Sequence, residues 1–255
     1  MRDVGIRLRR DKCKFFAKEI EHLGHVVDKH GVRVNPEKAA AIRAAPPPKD
    51  KQALESWICT AQYYADFIPG FAMLAAPLNE LRRNNVKFTW TPHRQKAYDD
   101  IKAALAAQTL RVHFEKNRPL ILATDASPYG VGTVLMQEHD DGIEHIVTCA
   151  SRTLSETERR YAQIEKEALS IVFGFKRFRQ YVAGREVLLY TDHKPLTFIF
   201  KPDAGLSQTA LQQIQRWSQY LANFSYIVQH RLGKLNSQAD ALSRSPQEVI
   251  EELDA

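Results

Sequence analysis

The sequence predicts a mixed α/β chain, in which a mixed five-stranded sheet with flanking helices follows a small helical module. Three observations carry that expectation. From about residue 113 the runs "RPLILATDAS", "GVGTVLMQEH" and "EHIVTCASRTL" follow one another across the short turns "SPYG" and "HDDG", the pattern of an antiparallel meander. A long amphipathic segment then leads into strand "EVLLYTD", helix "ALQQIQRWSQYLANF", strand "SYIVQHR" and a last helix at "NSQADALSR". That order fits a mixed sheet with helices packed on it. Before residue 113 the punctuation differs, and helices opened by proline dominate.

Taken in order, "EHLGHVVDKHGVRV" reads as two short β runs around a turn at "DKHG". Asn35 is an N-cap followed by Pro36, and that helix stops at Pro46-Pro47-Pro48. A second helix spans about Lys51 to Phe67, and Thr91 with Pro92 opens a third. Residues 1–33 thus form a small β element, and 34 to about 112 a helical module. In the second half, "SETERRYAQIEKEALSIVFGFKRFRQYV" reads as one long helix, with Ser155 and Glu158 as a capping box. Tyr161, Ile164, Ala168, Ile171, Phe175 and Phe178 recur every three or four residues and define its buried stripe. The acidic tail "SPQEVIEELDA", 246–255 in the main, reads as poorly ordered.

Composition bounds the function. With 255 residues, 44% hydrophobic and 26% charged, the chain has the make-up of a globular protein. A net charge of +6 leans modestly towards a polyanionic partner, although a basic protein without one is the competing reading. Cys13, Cys59 and Cys149 show no C-x-x-C spacing and read as reduced core thiols, with no zinc site and no disulfide framework. The first residues lack an apolar signal-peptide core, and no apolar run approaches a bilayer span. The expectation is a soluble intracellular, cytoplasmic protein with no membrane partner.

Asp125 and Asp192 each follow an apolar strand directly. Burying an ionised carboxylate is costly unless it is paired or holds a metal. The helix between these strands makes a crossover connection, which favours placing them parallel and adjacent. On a helical wheel centred on Ile164 the stripe spans roughly −40° to +60°, with Glu167 near −60° and Glu165 near +100°. Glu167 therefore borders the buried face, while Glu165 and Lys166 lie further from it. Asp240, early in the last helix, is a fourth candidate. Clustered carboxylates raise one another's pKa unless a cation neutralises them. Hard oxygen ligands favour Mg²⁺ or Mn²⁺ over Zn²⁺, and two such ions can activate a water and stabilise the leaving oxygen in phosphodiester hydrolysis. Each acid also has a structural reading. Asp125 could close the "SPYG" turn, Asp192 could cap the next helix, Asp240 could form a capping box with Ser237, and Glu167 could pair with Arg160 or Lys166.

The motifs "TDASPYGVGTVLMQ", "YAQIEKEALSIVFGFKRFRQYV", "YTDHKPL" and "LNSQADALSR" resemble the acidic motifs of the ribonuclease H domain in gypsy-type long-terminal-repeat retrotransposon reverse transcriptases. The likeness runs from "KCKFFAKEIEHLGHVV" to "QADALSR". It implies a ribonuclease H-like fold over 113–245. It also implies an endonuclease that cuts the RNA strand of RNA–DNA hybrids with two Mg²⁺ ions, Mn²⁺ being a substitute, held by Asp125, Glu167, Asp192 and Asp240. Ten residues before Asp240 stands His230, matching a catalytic histidine of cellular ribonuclease H. Many retrotransposon relatives carry tyrosine there, so a polar strand-end histidine is the competing reading. His193, beside Asp192, is a further candidate.

In the first half, "HLGHVV" resembles the primer-grip hairpin that ends the polymerase palm, residues 1–33, and 34–112 resembles the thumb. The chain departs from the family at "WICTAQYYADF", and Tyr64-Ala65-Asp66 does not replace a Y-x-D-D motif. The resemblance therefore implies a fragment lacking the polymerase centre. Its partners would be an RNA–DNA hybrid or primer–template duplex and the remainder of the reverse transcriptase, in a virus-like particle if the element is active. The basic stretches "RLRRDKCK", "KRFRQY" and "HRLGK" could hold phosphates or be solvated faces. Two rival functions are a catalytically inactive binding remnant and an integrase-type strand transferase. The acidic set argues against the first. The fourth acid and the lack of a zinc module argue against the second.

Overall fold

The computed structural model describes residues 13–107, 109–192, 194, 196 and 212–231. Its first part is built on a four-stranded antiparallel sheet in the order β1-β2-β3-β4: β1 Glu19–His22, β2 His25–Asp28, β3 Gly31–Val34 and β4 Arg111–Val112. The "DKHG" turn forms as expected, with the Asp28 carboxylate accepting from the His30 and Gly31 amides. The residue pattern alone missed β1, although the resemblance puts a hairpin at "HLGHVV". Its hairpin to β2 turns on Leu23 and Gly24 with φ of 48° and 75°. Two left-handed residues are what a tight hairpin needs, but leucine seldom supplies one and hides the signal. The turn is held from outside by the Tyr63 hydroxyl donating to the Leu23 carbonyl at 2.6 Å and the Asn35 amide donating to that of Gly24 at 3.0 Å.

Between β3 and β4 lie α1 Pro36–Ala44, α2 Lys51–Tyr63, a 3₁₀ turn Ala65–Phe67, α3 Phe71–Leu74, α4 Ala76–Leu81 and α5 Pro92–Ala106. The Asn35 side chain accepts from the Glu37 and Lys38 amides, and Thr91 accepts from Arg94, so the expected caps form. The second helix ends at Tyr63 rather than Phe67, and tightens into the 3₁₀ turn that carries Phe67 into the core. Leu54, Ile58, Leu78, Leu81, Tyr98 and Ile101 form that core.

The second part is a five-stranded sheet in the order β7-β6-β5-β8-β9: β5 Leu120–Ala126, β6 Gly130–Glu138, β7 Glu144–Thr153, β8 Glu186–Thr191 and β9 Ser225–His230. β5, β6 and β7 form the expected antiparallel meander, and β8 joins β5 in parallel, with β9 parallel outside it. Alternate residues Leu120 and Leu122 of β5 and Val187 and Leu189 of β8 share a core with Ala168, Ile171 and Phe175 of α7 Gln163–Arg177. Gly174 lets this helix approach closely, since a Cβ there would stand 2.7 Å from Thr133 Oγ1 and 3.3 Å from Leu122 Cδ2. α9 Gln212–Leu221 packs on α7.

The long helix expected over 155–182 is three pieces. α6 Glu156–Arg159 precedes α7, and α8 Arg179–Val182 follows it. Ser155 and Glu158 form their capping box, but the chain then turns extended at Ala162, whose amide donates to Glu165 at 2.9 Å and opens a new helix. Periodicity could not show this break, because Tyr161 keeps its place in the apolar pattern across it. Lys166 is buried, contrary to the helical-wheel reading, because α9 and the sheet enclose more of α7 than its apolar stripe. Of the three thiols only Cys149 is a core residue. Cys59 is exposed on α2 and Cys13 is half-buried.

The two parts touch through α3, which lies on β6 and β7. The Ala72 amide donates to Ser151 Oγ at 2.8 Å, and Met73 fits against Gly130 and Gly132. Arg111 of β4 reaches the Val147 carbonyl of β7 at 3.1 Å and covers the Phe67 ring. Among the described residues no helix is long and apolar enough to cross a membrane.

Candidate metal centre

Strand register brings the first two acids together. Leu120 faces Val187 and Ala123 faces Tyr190, a constant offset of 67 residues. The same offset sets Asp192 opposite Asp125, just past the paired segment. The "SPYG" turn is closed by Ser127, whose hydroxyl accepts from the Tyr129 and Gly130 amides at 3.2 and 3.1 Å. That turn therefore does not depend on the Asp125 carboxylate. α7 supplies the third acid: Glu167 is 3% exposed, on the border of the apolar stripe where its wheel position put it. One carboxylate oxygen each from Asp125, Glu167 and Asp192 lies within 4.8 Å of the others.

The electrostatics match this crowding. Burial, then the charge of Asp192, pushes the Glu167 carboxyl up to about 8. Burial and Asp192 likewise raise Asp125, although that side chain sits at the solvent edge of the cluster. The charges acting on Glu167 are those of Asp192 and Asp125, both negative. Glu167 Oε1 accepts from Gln163 Nε2 at 2.5 Å, while Oε2 is buried with no hydrogen-bond partner. Three convergent carboxylates, one of which also keeps a buried oxygen without a hydrogen-bond partner, suit a hard divalent cation. Glu167 is not the solvated partner of Arg160 or Lys166.

Of the other sequence candidates, His230 pairs with Thr191 across β8 and β9 and stands beside Asp192, with Nε2 3.1 Å from the Asp192 carbonyl oxygen. Asp240 and His193 lie outside the described residues. Arg231 of "HRLGK" is not a free phosphate ligand: it forms an ion pair with Glu144 at 2.7 Å and covers the Tyr190 ring. In "KRFRQY", Lys176, Arg177 and Arg179 are exposed while Phe178 is buried. Sequence reading missed Gln163, although its i, i+4 spacing to Glu167 was a usable signal.

Residues 115–224 match the family model of the RNase H-like domain found in reverse transcriptase. Those residues belong to that family. The RNase H-like domain sits in a chain that is 34% identical to the retrovirus-related Pol polyprotein from transposon 297 of Drosophila melanogaster, over 95% of this chain and 22% of the relative. The corresponding polyprotein from transposon gypsy of the same organism is 33% identical, over 95% of this chain and 24% of the relative. The chain thus spans less than a quarter of the length of these curated relatives. In structure it resembles the foamy viral protease-reverse transcriptase solved in complex with RNA/DNA hybrid, with a TM-score of 0.65, 18% identity, and coverage of 87% of this chain and 30% of that one. The fold of the second part is RNase H-like, as the sequence predicts.

Proposed function

We propose that this chain is the ribonuclease part of a retrotransposon reverse transcriptase, a Mg²⁺-dependent endonuclease that hydrolyses the RNA strand of RNA–DNA hybrids. The observation that carries the reading is the convergence of the Asp125, Glu167 and Asp192 carboxylates, with one Glu167 oxygen buried and without a hydrogen-bond partner. In this reading Asp125, Glu167, Asp192 and Asp240 hold two Mg²⁺ ions, or Mn²⁺ in their place. Bound there, the ions supply Lewis-acid activation of water and neutralise charge on the phosphate. The protein's own part is placement. β5 and β8 hold two carboxylates side by side, and α7 brings the third against them. His230, with its Nε2–H donated to the Asp192 carbonyl, has Nδ1 left to take up a proton.

The proposed division is 1–33 as the palm end with its primer-grip hairpin, 34–112 as thumb, 113–245 as ribonuclease domain and 246–255 as tail. The parent polyprotein would also be an RNA-directed DNA polymerase. The hybrid would be read by shape and 2′-hydroxyls rather than by base edges. The deciding experiment is cleavage of an end-labelled RNA–DNA hybrid with and without Mg²⁺. RNA fragments that appear only with metal are expected, and intact RNA in both lanes would reject the reading.

A further inference from the structure

Gln163 is the first residue of α7 and lies one helical turn before Glu167. Its amide nitrogen donates to Glu167 Oε1 at 2.5 Å and to the Ala126 carbonyl at 3.3 Å. Both amide protons are thus spent on opposite walls of the carboxylate cluster, one on the helix and one on the strand residue after Asp125. Glu167 Oε2 is left buried and without a partner. An untethered glutamate samples several rotamers, whereas fixing one oxygen leaves the other a single heading.

We propose that Gln163 is a positioning residue for Glu167, clamping Oε1 to β5 so that Oε2 is held in the space shared with Asp125 and Asp192. A neutral donor suits that task. Lysine or arginine at the same point would tie the carboxylate equally well, but would set a positive charge where a cation is to bind. This inference rests on the metal-centre reading above.

The test uses the full 255-residue chain, with free Mn²⁺ followed by electron paramagnetic resonance in the absence of nucleic acid. Gln163→Met keeps the size of the side chain and removes the donor, and Gln163→Ala removes both. Each is expected to weaken Mn²⁺ binding about tenfold or more, the range typical of lost outer-shell partners. Metal-free thermal unfolding should stay unchanged, and raised Mn²⁺ should recover hybrid cleavage. Wild-type affinity in Gln163→Met would overturn the inference, even with a weakened Gln163→Ala, because packing would then hold Glu167. If that occurs while the wild-type chain binds Mn²⁺ and cuts hybrid, the metal centre stands without the clamp. No Mn²⁺ binding by the wild-type chain would overturn both.

Discussion

Glu158 and Glu167 stand on either side of the break between α6 and α7, and the protein treats them in opposite ways. Glu158 receives both guanidinium nitrogens of Arg152, at 2.7 and 2.8 Å, together with the Ser155 amide. Arg152 holds its carboxyl down at about 2. Glu167 accepts from the neutral Gln163 amide, stands beside two further carboxylates, and is pushed by burial and then Asp192 up to about 8. One glutamate is neutralised by the chain itself. The other has no positive partner among the described residues, and under the proposed function a bound cation would neutralise it, which is the physical difference between a carboxylate that holds a fold together and one that could hold a metal.

The largest expected effect comes from disabling the outward-looking cluster. Asp125→Asn should still bind hybrid but cut it at least about 100-fold more slowly in a single-turnover assay, because the proposed metal site loses a negative charge and one carboxylate oxygen. Undiminished cleavage would make the cluster structural and erase its contrast with Glu158. Next comes the approach that brings Glu167 into place. Gly174→Ala sets a methyl against the buried, β-branched Thr133, 2.7 Å from its Oγ1 and 3.4 Å from its Cβ, and should cost about 1–3 kcal/mol in urea unfolding. Adding Thr133→Ala in the same chain should recover part of that loss.

The two glutamates should also respond to pH with opposite signs. Glu167 binds its proton more tightly folded than unfolded, so in metal-free buffer stability falls as pH rises from about 4.5 to about 8. Glu167→Gln should flatten that slope and stabilise the metal-free chain at pH 8, and added Mg²⁺ should stabilise the wild-type chain by an amount that rises with the logarithm of its concentration above the Kd. Glu158 is the reverse case: its contribution is present above about 4.5 and is lost as pH falls towards about 2. Glu158→Gln should therefore destabilise at neutral pH, by about 1 kcal/mol, since the pair is partly exposed and the cap is partly kept. Equal signs for the two variants in thermal melts at pH 8 would break the comparison.

Much of the site was legible before any coordinates, because its signals are local or periodic. Asp125 and Asp192 end apolar strands, a crossover connection sets such strands parallel, and Glu167 has its place on a helical wheel. The caps at Asn35, Thr91 and Ser155 were equally plain, since each is a hydrogen bond to an amide two or three residues away. Gln163 shows itself in the sequence only through its i, i+4 spacing to Glu167, because its second bond, to Ala126, is long-range.

What the residues could not announce depends on partners distant in the chain. The hairpin at Leu23-Gly24 is held by Tyr63, forty residues on, and Arg231 pairs with Glu144, 87 residues before it. The seating of α3 on β6 and β7, the burial of Lys166 and the exposure of Cys59 follow from which faces meet. Patterning by itself determined the order of the second-half strands, most of the helices and which carboxylates could converge. Tertiary structure alone decided that Arg152 neutralises Glu158 while Glu167 keeps a buried oxygen without a partner, because pairing a charge depends on distance in space and not on position in the chain.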